Sequence, residues 1–240
     1  MIEPYKLMMG TDLIITPEIK LKHPTVKHVF EVGEMQYLPA IASFVATPFD
    51  YKVELDDAGI NFEDMSEFDF FCYRATGFSN SVVNQIIDGF DFANVELLAQ
   101  GENIYLCDMK TMALLDEIHY KILCDYLRAI HGLKKNYEEY GNELTRKMVI
   151  ESERQERNHK AYKAQQEPFL LNCVSGLINC SESKYDYHNV WDLPYYVFID
   201  AIRRTQKVME FKGLMSGMYS GMVDLKKIDM EKMSWIGKLE

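Results

Sequence analysis

Apolar positions along the first third of the chain change period several times. Tyr5 to Met9, a turn at Gly10-Thr11-Asp12, Leu13 to Thr16 and then Ile19-Lys20-Leu21 alternate as short strands, which predicts a hairpin at the N-terminus. Pro24-Thr25 opens a helix with Val26, Val29 and Phe30 on one face. The apolar pattern continues from Glu34 to Val45 and should kink or break at Pro39. An acidic stretch then reads as an extended connection. Ser66 caps a helix from Glu67 to Ala75 with Phe68, Phe71, Cys72 and Ala75 inward, and a second short helix runs from Ser81 to Ile87. Asn94 to Leu98 and Asn103 to Cys107 flank Gln100-Gly101-Glu102 as a second hairpin.

From residue 111 the spacing is helical almost throughout. Leu114, Leu115, Ile118, Ile122, Leu123, Tyr126, Leu127 and Ile130 form one stripe that ends at His131-Gly132. Residues 142–166 favour a helix yet are nearly all polar after Ile150, with Glu143/Lys147 and Glu153/Arg157 at i,i+4. Such a helix projects into solvent or bridges two parts of the molecule. Pro168 opens an apolar helix from Phe169 to Ile178. Another runs from Tyr195 towards Phe211 with Val197, Phe198, Ala201, Ile202, Thr205 and Val208 on one side, before a Gly- and Met-rich tail. The expected fold is α+β and mainly α-helical. An acidic part with short β-hairpins spans 1–110 and a helical part spans 111–240, and the two can pack as a single domain.

Charge sharpens that division. Over 240 residues, 26 Lys+Arg stand against 37 Asp+Glu, a net of −11. Residues 1–110 hold 18 acidic and 7 basic side chains, and residues 111–240 hold 19 of each, so the whole excess lies in the first part. Asp50, Glu54, Asp56, Asp57, Glu63, Asp64, Glu67 and Asp69 face only Lys52 between positions 50 and 69. A general affinity for nucleic acid or anionic lipid is disfavoured. No apolar run spans a bilayer and no signal peptide opens the chain, which places it in the cytosol of its cell. Five cysteines without CxxC spacing read as reduced core residues.

Candidate chemistry is sparse. Asp116-x-x-His119 and Glu156-x-x-His159 have the spacing of a di-iron bundle site, but the surroundings of His159 have no apolar stripe to bury it. Residues 56–63 do not satisfy a calcium loop, and the acidic stretch reads as a solvated or partner-docking surface. Ser175-Gly176, Ser216-Gly217 and Ser220-Gly221 do not form Gly-x-Ser-x-Gly, and there is no Walker loop or dinucleotide fingerprint. Basic residues between Arg146 and Lys163 are interspersed with glutamates, as on a solvated helix. No cofactor, metal or catalytic activity is expected. Fourteen methionines, five of them in the last 26 residues, suit an adaptable apolar surface or a tail folded onto the core.

The blocks Lys22 to Glu34, Phe49 to Asp57, Val190-Trp191-Asp192-Leu193-Pro194, Asp200 to Lys207, Tyr219 to Asp224 and Trp235-Ile236-Gly237, in this order, resemble tail-morphogenesis proteins of tailed phages and prophages of Gram-positive bacteria. They are similar to the tail assembly chaperone group. The resemblance implies a non-enzymatic factor of the host cytoplasm that binds the tape-measure and tail-tube proteins and self-associates. A structural virion protein is the alternative, and a nucleic-acid-binding protein or metal-dependent enzyme a more remote one. Partner contacts are expected at Tyr219, Met222, Trp235 and Ile236 in the tail, and at Asp56, Asp57, Glu63 and Asp64.

Overall fold

In the computed structural model, which describes residues 3–75, 81–101, 103–163, 168–221, 228–229 and 233–237, the chain opens on a short helix, α1 (Pro4–Met8), where a strand was expected. Pro4 occupies the first turn, where a missing N–H costs nothing, and Leu7 is buried. Gly10, with φ +63°, turns the chain away. The N-terminal hairpin therefore sits later: β1 (Leu13–Ile14) pairs antiparallel with β2 (Lys20–Leu21), and β2 pairs with β3 (Ile87–Asp88).

Thr25 caps α2 (Val26–Val32) by accepting the His28 N–H at 3.2 Å. α3 (Glu34–Phe44) runs on through Pro39; the break predicted at the proline falls at Gly33, whose φ of +96° ends α2. Pro39 deprives the Met35 carbonyl of its donor, and Met35 lies on the exposed side, where solvent can replace it.

The acidic stretch is not extended. It folds into a 3₁₀ turn at Pro48–Tyr51, the helix α4 (Lys52–Asp57) and a second 3₁₀ turn at Phe62–Asp64. Thr47 and Asp50 cap the first turn reciprocally. Phe49, Val53, Leu55 and Phe62 are driven inward to form a small core with Ala46, Phe70 and Ile150.

Ser66 accepts the Asp69 N–H at 3.0 Å and starts α5 (Glu67–Ala75) as its sequence predicts; α6 (Ser81–Ile86) follows. The second hairpin also forms as expected: β4 (Val95–Gln100) pairs antiparallel with β5 (Asn103–Asp108) around Gly101, and β5 pairs with β6 (Leu114–Leu115). α7 (Glu117–His131) starts at the Asp116 cap and ends at Gly132 in the left-handed region. Its buried side carries Tyr120, Leu123, Cys124, Leu127 and Ile130, whereas Ile118 and Ile122, expected inside, face outward.

α8 (Glu143–Lys163), α9 (Leu170–Asn179) and α10 (Tyr195–Tyr219) complete the fold. α10 continues past Phe211, so Met215 and Met218 are helical rather than part of a loose tail. Phe211, Leu214, Met215 and Met218 recur at helical spacing and are half-buried, which outweighs the helix-weakening Gly213 and Gly217.

The main core joins residues on both sides of position 110, among them Leu21, Tyr37, Phe44, Phe71, Leu106, Tyr120, Leu127, Leu170 and Phe198. Phe71 stacks tilted on Tyr120 with centroids 4.6 Å apart, and the Tyr120 hydroxyl donates to the Phe44 carbonyl at 3.0 Å. The fold is α+β and mainly helical, with two small antiparallel sheets among the described residues. All five cysteines are free; Cys72, Cys107 and Cys124 are buried, and Cys173 and Cys180 are partly so. Among the described residues no helix is long and apolar enough to cross a membrane.

Candidate functional site

A cleft of about 820 Å³ opens between α3, α9, α10 and the end of α7, walled by Leu38, Pro39, Leu133, Phe169, Ile199 and Ile202. Its geometry starts with Glu34. The residue opens α3, and its carboxylate accepts the backbone N–H of Phe169 at 2.9 Å and of Leu170 at 3.0 Å. One buried carboxyl group thus sits at the starts of two helices and fixes α9 against α3. α9 turns Leu170, Val174 and Leu177 into the core, leaving Phe169 at the rim of the cleft, 54% exposed. Met35 forms part of the same rim from α3.

The floor carries a polar group, His131, that is engaged on both sides. His131 Nδ1–H donates to the Leu127 carbonyl at 2.8 Å, and the Tyr37 hydroxyl donates to His131 Nε2 at 3.0 Å. Burial holds the imidazole down at about 4, so the ring is neutral near pH 7, in keeping with that tautomer. The ring lies 5.5 Å from the Tyr37 ring and 5.2 Å from that of Tyr195. Burial pushes both phenols and the Cys173 thiol up, so none is poised as a nucleophile at neutral pH. With both His131 nitrogens occupied, the cleft has the character of an apolar binding surface with Arg203 at its edge.

The expected partner-contacting residues lie elsewhere. Tyr219 ends α10 and is 83% exposed; Trp235 and Ile236 are also exposed. Arg204 donates to the backbone carbonyls of Trp235 at 2.8 Å and Gly237 at 2.6 Å, which ties that segment to the first half of α10. At about 1.5 Å rise per residue, Tyr219 stands roughly 22 Å further along the helix than Arg204, so Tyr219 and Trp235 do not form one patch. Met222 lies outside the described residues.

Asp56, Asp57 and Glu63 face α8. Arg146 pairs with Asp56 at 3.4 Å and Glu63 at 3.6 Å, and Arg154 with Asp57 at 2.6 Å. Asp64 accepts from Asn61 Nδ2 at 2.6 Å. Arg157 pairs with Glu54 and donates to the Asp50 carbonyl at 2.8 Å. Lys52, 3% exposed at its side chain, lies 2.8 Å from both Glu138 and Glu153. The polar helix therefore bridges onto the acidic stretch. The i,i+4 pairs Glu143/Lys147 and Glu153/Arg157 are both present.

Asp116 accepts the His119 N–H at 2.8 Å and lies 2.7 Å from His119 Nδ1, so it acts as a helix cap. Among the described residues no three His, Cys, Asp or Glu side chains are grouped to hold a metal ion. The cleft itself was missed in the sequence; its one local signal is Glu34 directly after Gly33, an acid at a helix start that also reaches a second helix.

Residues 162–240, about a third of the chain, match a family model described as the second domain of YomV. No curated protein and no solved structure matches the chain. YomV is phage- and prophage-encoded, which accords with a phage origin without assigning a tail role, and the matched segment contains α9 and α10, two walls of the cleft.

Proposed function

We propose that this chain is a non-enzymatic assembly factor of a tailed phage, acting in the host cytoplasm, whose cleft receives an amphipathic helical segment of another tail protein, the tape-measure protein first. The observation that carries the reading is the cleft: helical walls, an apolar lining and a floor histidine whose two ring nitrogens are both engaged. An apolar helix face laid into such a groove buries its i, i+3, i+4 and i+7 side chains against Leu38, Ile199 and Ile202. The resemblance to tail-morphogenesis proteins supplies the partner class, and the phage-encoded YomV match supports the setting.

The test is co-purification of the full chain with segments of tape-measure and tail-tube proteins from the genome that encodes it, using wild type and Ile202→Glu. Ile202 is half-buried and also packs against the main core, so unchanged circular dichroism of the variant accompanies the test of a charge placed in the cleft. Retention by the wild type and loss in the variant supports the reading. Failure of every tail protein to co-purify overturns it, as does stoichiometric presence of the chain in purified particles, which identifies a structural virion component.

A further inference from the structure

The sheet built from β4, β5 and β6 ends on β4, and among the described residues no strand lies against its outer edge. Proteins usually guard such an edge with a lysine, a proline, a bulge or a very short strand. β4 has none of these. It is six residues long, carries a single charge at Glu96, and pairs with β5 without interruption from Val95↔Asp108 to Gln100↔Asn103. The opposite edge, β6, is only two residues long.

Side chains alternate between faces along a strand, so Leu97 and Leu98 point to opposite sides. Both are nonetheless exposed, at 45% and 40%, and so is Ile104, which sits opposite Ala99 on β5. The outer half of the hairpin thus carries apolar groups on both faces, beyond the reach of the core.

We propose that β4 pairs antiparallel with β4 of a second copy of this chain, joining the two three-stranded sheets into one across a two-fold axis. The edge is complementary to itself. With the axis between the two copies of Leu97, which keeps opposed side chains on one face of the sheet, Leu97 faces Leu97 of the second copy, Glu96 faces Leu98 and Val95 faces Ala99. No carboxylate meets another, and the two Leu97 side chains form a cross-strand pair at the axis. A parallel, in-register arrangement would set Glu96 against Glu96. The antiparallel pairing is isologous and closes at two copies, and the short β6 edge offers little for further growth.

The experiment is sedimentation equilibrium of the full chain at micromolar concentration, comparing wild type with Leu97→Lys and Leu97→Glu. Leu97 is exposed, and unchanged circular dichroism checks that the variants fold. The wild type is expected to be a dimer, and each variant alone to dissociate at least about tenfold more readily. Mixing the two variants should restore dimers, because the new lysine of one chain faces the new glutamate of the other. A monomeric wild type, a dimer indifferent to both substitutions, or failure of the mixture to recover overturns the pairing. So does a monomer whose hairpin variants instead lose a bound tail protein.

Discussion

Glu34 and Leu170 stand 136 positions apart, and Oε2 of the first accepts the backbone N–H of the second at 3.0 Å. The same carboxylate also takes the Phe169 N–H, so a single side chain from α3 completes the start of α9. Glu34→Ala leaves two N–H groups at a helix start without an acceptor and is expected to cost about 2 kcal/mol. Glu34→Gln, which retains one acceptor oxygen, should lose less. Urea denaturation measures both. Because the contact sets the spacing of two cleft walls, Glu34→Ala should also weaken partner binding under conditions where the protein is still folded. Equal stability of Ala and Gln variants would argue against the cap.

His23 gives the chain a pH dependence of definite sign. It is 9% exposed, neither ring nitrogen has a hydrogen-bond partner among the described residues, and burial holds its imidazole at about 4 against an ordinary 6.5. Above pH 6.5 the ring is neutral folded and unfolded alike, and the stability is fully present. Between 6.5 and 4 only the unfolded chain takes up the proton, so stability falls, by on the order of 3 kcal/mol for a shift of this size. His131 acts in the same direction. Replacing His23 with leucine removes one contribution and the unmet polar atoms together. The variant should be at least as stable as wild type at pH 7 and lose less on acidification to pH 5; parallel losses in both proteins would rule this account out.

Two helix starts were legible in the sequence because their cause is local: Thr25 and Ser66 each cap a helix within three residues of themselves, whereas the start of α7 at Asp116 was placed too early, at Leu114 and Leu115, which form β6. The hairpin around Gly101 was legible for the same reason. The N-terminal strand was misread because five residues from Tyr5 to Met9 are too few to separate a period of two from one of 3.6, and Pro4 decided the matter. Gly213 and Gly217 suggested the end of α10, while partial packing of their neighbours continued it. The cleft was invisible for another reason. Its walls come from residues near 38, 133, 169 and 200, and only tertiary packing brings them together. The pairing of Arg146, Arg154 and Arg157 with Asp56, Glu63, Asp57 and Glu54 is likewise non-local, which is why the acidic stretch looked uncompensated.

α8 should be the first large element to open as salt is added. Among its described side chains only Ile150 is buried, and the remaining attachment to α4 is ionic, through Arg146, Arg154 and Arg157. At about 1 M salt the screening length falls to roughly 3 Å, and the exposed pairs weaken. Lys52 is buried between its two carboxylates and is screened less. Hydrogen exchange in high salt should therefore accelerate at the α8 amides while α7 stays protected, and Ile150→Ala should bring about the same selective opening in low salt. Uniform acceleration across both helices would show that α8 unfolds only with the whole protein.

Two glycines with similar backbone angles should respond very differently to alanine. Gly101, at the tip of the β4–β5 hairpin, has φ +67° and open space where a Cβ would go. Alanine there meets only the left-handed backbone penalty, about 1 kcal/mol. Gly89 has φ +83°, and a Cβ on it would lie 1.8 Å from the Glu18 carbonyl oxygen. That oxygen is backbone just ahead of β2, and Gly89 directly follows β3, so relief would require separating the paired strands Lys20–Leu21 and Ile87–Asp88. The buried Ile19, Leu21 and Ile87 would move with them. Gly89→Ala is expected to cost more than about 3 kcal/mol. Thermal unfolding of the two variants side by side checks the difference: a Tm lowered slightly for Gly101→Ala and severely for Gly89→Ala, with equal losses counting against the close approach of the Gly89 and Glu18 backbones.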